Sequence, residues 1–107
     1  MLDMLTLQAA KIAALNDVFR HSGFGVTFTG GVQSMPNLNG LMARIRVYDH
    51  FNEDNDPYGE HDFGKIKWLG SEIFWKIDYY DQNLEGWADP LSAECRRVMT
   101  VMLADEY

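Results

Sequence analysis

Only one cysteine, Cys95, occurs in the 107 residues, so no disulfide can form within the chain. A membrane span is missing too, because every apolar run is far shorter than the roughly 20 residues that a bilayer-crossing helix needs. Asp3 and Lys11 interrupt the first residues, which lack the basic start and continuous apolar segment of a secretory signal, and a cytoplasmic protein is expected. Cations are scarce as well: nine Lys and Arg stand against sixteen Asp and Glu. No basic patch is visible, since Arg44 and Arg46, two residues apart, cannot share a helix face. Direct binding to DNA or RNA through phosphate neutralisation is therefore not expected. Gly30-Gly31 belongs to neither phosphate-loop pattern, and no cofactor is implied.

What is present suits one globular domain, with 47% hydrophobic and 23% charged residues. A chain of this length buries on the order of 65% of its unfolded surface, enough for one core without covalent staples. The charge is concentrated. From Asp49 to Asp89 eleven carboxylates face only Lys65, Lys67 and Lys76, a balance of −8, while the rest of the chain carries +1. A surface of that sign suits a basic partner, a cation or plain solubility.

Periodicity predicts the elements. Leu5, Ala9, Ile12, Leu15 and Phe19 fall on one face of a helix from about Leu5 to His21, with Gln8, Lys11, Asn16 and Arg20 opposite and Gly23 as the stop. Arg20 and His21 then read as cations that suit the helix C-terminus. Phe24 to Thr29 reads as a strand closed by a turn at Gly30-Gly31. Ser34 or Asn37 caps a second helix, Leu38 to Phe51, with Leu38, Leu41, Met42, Ile45 and Tyr48 inward. A hairpin follows, Phe63 to Leu69 and Glu72 to Asp81, turning at Gly70-Ser71; Ile73, Trp75, Ile77 and Tyr79 form its core face. Asp89-Pro90 has helix-start chemistry, and Leu91, Cys95, Val98, Met99, Met102 and Leu103 make a stripe that predicts a helix to the C-terminus. The expected fold is α+β, a single domain over residues 1–107 in the order α-β-α-β-β-α, with an antiparallel sheet packed by helices on one face.

Asn52 to Gly64, NEDNDPYGEHDFG, sits between these elements and holds five carboxylates, a histidine, a proline and two glycines. Asn55, Pro57 and Gly59 read as a structural turn. A calcium loop of the EF-hand type fails, because Tyr58 and Lys65 stand at its ligand positions five and twelve. Glu60, His61 and Asp62, with Asp56, offer ligands for a metal-dependent hydrolase or nuclease, but without the spacing of established zinc sites. Trp87, among Gly and Glu in a polar loop, either caps the core edge or meets a partner.

Three segments, NDPYGEHDFG (Asn55 to Gly64), WKIDYYD (Trp75 to Asp81) and RVMTVMLADEY (Arg97 to Tyr107), resemble an uncharacterised bacterial family described only as a domain of unknown function, often carried on plasmids and mobile elements. That resemblance implies an accessory-gene setting, in which small acidic proteins often inhibit host defence, including anti-restriction and anti-CRISPR proteins. It transfers no catalytic residue. The expectation is a non-enzymatic binding protein that occupies the basic, nucleic-acid-binding site of a protein partner. The candidate contacts are Asp54, Asp56, Glu60, Asp62, Asp78, Asp81 and Trp87; the alternative is hydrolysis at Asp56, Glu60, His61 and Asp62.

Overall fold

In the computed structural model, which describes residues 3–22 and 24–107, Asp3 opens the first helix by accepting the backbone N–H of Thr6 on Oδ1 at 2.8 Å. This helix, α1, spans Met4–Ser22; the stop expected at Gly23 lies outside the described residues. Its buried residues are Ile12, Ala13, Asn16 and Arg20, so the helix is rotated from the expected orientation. Leu5 and Leu15 are exposed, and Asn16 and Arg20, expected on the solvent side, are fully buried. Both polar side chains find partners inside, although Arg20 Nε is left without one among the described residues, so the rotation costs less than hydropathy alone suggests.

A three-residue strand, β1 (Val26–Phe28), comes next; Gly30-Gly31, expected as a turn, instead begins a one-turn helix, α2 (Gly30–Gln33). Asn37 caps α3 (Leu38–Arg46), its side chain accepting the N–H of Gly40 at 3.1 Å. Leu41, Met42, Ile45 and Tyr48 are buried as the spacing predicts, but the helix ends at Arg46, short of Phe51. The hairpin is β2 (Phe63–Trp68) and β3 (Ser71–Tyr80). Its turn lies one residue earlier than expected, at Leu69 and Gly70, whose φ values of 50° and 83° give the two-residue geometry that matches strand twist.

The largest correction is at the end of the chain. Residues 96–103 form a strand, β4 (Arg96–Leu103), and not a helix. Asp89-Pro90 begins a turn instead, with Asp89 Oδ1 accepting the Leu91 N–H at 2.8 Å. Cys95 consequently lies half-buried in the loop before β4 and is not part of a helical stripe. The strand order is β1-β4-β3-β2, with β4 antiparallel to β3 and parallel to β1, so the four-stranded sheet is mixed and not antiparallel. The fold is α+β, with one more strand and one fewer long helix than expected.

Register builds the core: Ile73, Trp75 and Ile77 pair with Leu103, Val101 and Met99, and Ile66 and Gly64 pair with Ile73 and Trp75. This face meets Val32, Leu41, Met42, Ile45 and Tyr48 from α2, α3 and the segment after it. Gly64 lies flat against the Trp75 indole, and a Cβ there would overlap the ring. Among the described residues, no helix is long and apolar enough to cross a membrane.

Candidate functional site

The acidic loop is held first by its own side chains. Asn52 Oδ1 accepts the N–H groups of Asp54 (2.8 Å) and Asn55 (3.1 Å). Asn55 accepts from Asn52 N (2.9 Å) and donates to the His50 carbonyl (2.6 Å). Asp56 accepts the N–H groups of Glu60 (3.2 Å) and His61 (3.3 Å), while Pro57 precedes Gly59, at φ +70°. Asp56 is thus buried and committed to the loop. Asp54 is exposed, in a different hollow that it shares with His50, Phe63, Lys65 and Phe74.

Behind the loop runs a buried polar network that hydropathy gives no reason to expect. Asn16 donates to the Glu60 carbonyl and the Tyr79 hydroxyl, both at 2.9 Å, and accepts from Arg97 Nε at 2.6 Å. Arg97 stacks over the Tyr79 ring and donates to the Pro90 carbonyl at 2.8 Å. Burial pushes the Tyr79 hydroxyl up to about 12, so it stays neutral as a hydrogen-bonding group. Arg20 lies between Phe51 and Trp75 and donates to Asp17 and the Tyr48 carbonyl, both at 3.1 Å. Expected as an end-of-helix cation, it is a core residue. The one available signal is the i, i+4, i+8 placement of Ile12, Asn16 and Arg20 on a single helix stripe.

His61 joins the network to the loop. Its backbone is left-handed, at φ 57°, and its ring stacks on Phe51 with centroids 3.9 Å apart. Nδ1 lies 3.0 Å from Asp17 Oδ1, and Nε2 lies 3.7 Å from Asp56 Oδ2. A histidine oriented by a carboxylate is half of a nucleophile-activating pair. Here the other ring nitrogen faces a second carboxylate, so the arrangement clamps the loop onto α1. Among the described residues, no group of three or more His, Cys, Asp or Glu is placed to hold a metal ion. His61 turns to Asp17, whereas Asp62 lines a cleft with Asp78.

That cleft, of about 440 Å³, arises because β2 begins only at Phe63, opposite Lys76, and leaves part of the β3 edge unpaired. The Ile77 N–H still bonds the Asp62 carbonyl at 2.8 Å, and Trp87 makes an isolated bridge to Tyr80 further along. Asp62, Asp78, Glu85, Tyr79, Tyr80 and Trp87 are among its lining residues, and no Lys or Arg is. Trp87 is 72% exposed. Asp81 supports the loop beneath, accepting the N–H groups of Asn83 and Glu85, both at 3.0 Å. Partial burial raises the Asp62 carboxyl above its ordinary value, and the neighbouring Asp56 and Asp78 add to the rise. Burial likewise raises Glu60, helped by Asp62 and Asp56. Lys76, 3.0 Å from Asp78, is the ion-pair partner at this rim. Of the residues singled out by sequence, Asp62, Asp78 and Trp87 come together here; Glu85 was not among them.

A family model described as Protein of unknown function (DUF3768) matches residues 28–106. No curated protein and no solved structure matches the chain.

Proposed function

The chain belongs to that family of unknown function, so its role has to be argued from its own surface, and we propose that it is a non-enzymatic binding protein whose acidic cleft receives a cationic segment of a protein partner. One observation carries this reading: three carboxylates, Asp62, Asp78 and Glu85, share a cleft with the exposed Trp87 and with no Lys or Arg in its lining. The Asp62 carboxyl, raised by its partial burial and further by Asp56 and Asp78, is stabilised by an incoming positive charge. An arginine suits the site better than a lysine, because it bonds carboxylates in pairs and stacks on an indole face, a contact worth roughly 0.5–2 kcal/mol.

In its specific form, the reading makes the partner a nucleic-acid-binding protein and this chain an inhibitor that occupies its basic site, as an anti-restriction or anti-CRISPR protein would. Duplex DNA presents one charge per about 1.7 Å of axis, so a surface built to receive it also receives dense carboxylates. The −8 balance of residues 49–89 supports this form.

The test is capture from a bacterial lysate with the intact protein and with an Asp78→Lys, Trp87→Ala variant, followed by affinity measurements on the protein retained only by the intact chain. Binding should weaken steeply between about 50 and about 500 mM salt, since exposed charges are screened over ~10 Å at 0.1 M, and duplex DNA should displace it. An affinity indifferent to salt and to DNA would overturn the reading.

A further inference from the structure

Helix α1 is arranged inside out. Its buried side carries Asn16 and Arg20, while Met4, Leu7, Leu15 and Val18 are exposed at 71%, 45%, 45% and 69%. At 100° per residue, Met4, Leu7, Lys11, Ala14 and Val18 fall on one stripe, directly opposite Ile12, Ala13, Asn16 and Arg20. The intervals along that stripe are three, four, three and four residues, the seam spacing of paired helices. No element of the described chain needs that spacing, because the core contacts of α1 are all on the other side.

We propose that α1 is a dimerisation element, through which a second copy of this chain packs antiparallel along the Met4–Val18 stripe. The orientation follows from size and charge. With the two-fold axis near residues 12 and 13, Leu7 meets the partner's Val18 and Lys11 lays its methylene stem over the partner's Ala14. The long Lys11 side chain therefore faces the small Ala14 on both sides of the axis, between two layers of Leu7 and Val18. At its ends, Asp3 approaches the partner's His21, and acidic and basic groups are matched. A parallel pair would set Lys11 against the partner's Lys11 and leave a gap between two Ala14 side chains. A lipid surface fits poorly, since Lys11 sits in the middle of the apolar stripe and the chain carries a net charge of −7. This inference does not depend on the acidic cleft.

Sedimentation and light scattering of the full chain over a range of concentrations should show a dimer. Val18→Glu should raise its dissociation constant at least about tenfold, with an unchanged circular dichroism spectrum, because Val18 is exposed and outside the core. Orientation is read in a Cys95→Ser background by mixing Lys11→Cys and Ala14→Cys chains: oxidation should join the two different chains in preference to two Lys11→Cys chains. A monomer at every concentration, a dimer untouched by Val18→Glu, or crosslinking dominated by the Lys11→Cys pair would each overturn the proposal. So would a monomer that sediments with phosphatidylcholine or phosphatidylglycerol vesicles.

Discussion

Asn16 touches three parts of the chain through one amide: the Glu60 carbonyl, the Tyr79 hydroxyl and Arg97. Replacing it by Ala would leave all three without that partner in a buried place, which costs about 1–3 kcal/mol. Asp54→Ala, at an exposed carboxylate engaged in no side-chain hydrogen bond among the described residues, should change stability by less than about 0.5 kcal/mol. Urea unfolding midpoints measure both, and equal effects would mean that the loop is not anchored from within. The carboxylates of the cleft give a pH signature. Glu60 and Asp62 have folded-state pKa values raised above 4.5 and 3.8, so in that window the folded chain holds more protons than the unfolded one. By linkage, stability rises as pH falls through the raised values, and the penalty is fully present at neutral pH. Glu106 has the opposite sign: bonds from Thr29, Leu103 and Gly31 lower it, and its contribution is lost as pH falls below 4.5. Asp62→Asn should therefore raise the melting temperature at pH 7 and flatten the mildly acidic arm of the profile. A variant less stable at pH 7 and equally pH-dependent would contradict this. None of this network is visible in hydropathy, because a buried Asn or Arg scores as a surface residue until its partners are known.

At the scale of elements, the sequence was most legible where one face is dry and the other wet. The Ile73, Trp75, Ile77 alternation and the Leu41, Met42, Ile45 spacing appear as expected. β4 reads as a helix in sequence for a physical reason. It lies second in the sheet, between β1 and β3, and buries residues on both faces, Met99 and Val101 on one and Met102 on the other. A strand apolar on both sides loses its period of two, and its residues then satisfy a helical stripe equally well. Asp89-Pro90 adds to the helical pattern, although an Asp before a Pro opens turns as readily as helices. The remaining signal was the β-branched content of Val98, Thr100 and Val101. Amide hydrogen exchange separates the two readings. Backbone N–H groups of residues 97–103 and of β3 should exchange slowest in the molecule, near the global unfolding rate. Fast exchange at residues 98–102 would contradict a central strand.

For the molecule as a whole, the sequence located the charge correctly but not its arrangement. Residues 49–89 carry the excess of carboxylates, yet folding distributes them among different duties: Asp56 and Asp81 hold turns, Asp54 faces a hollow beside Lys65, and Asp62, Asp78 and Glu85 meet in the cleft beside Trp87. Chain position could not show that Glu85 and Asp62, 23 residues apart, line one cavity, because the late start of β2 at Phe63 opens it. The most direct measurement is a titration of isotope-labelled protein with an arginine-rich peptide, following backbone amides and the three tryptophan indole N–H signals. Shifts should concentrate at Asp62, Asp78, Glu85 and the Trp87 indole, leave the buried Trp75 indole unmoved, and disappear in Asp78→Lys. Shifts centred on Asp54 and Lys65, or spread evenly over the surface, would contradict the assignment of the cleft as the binding site.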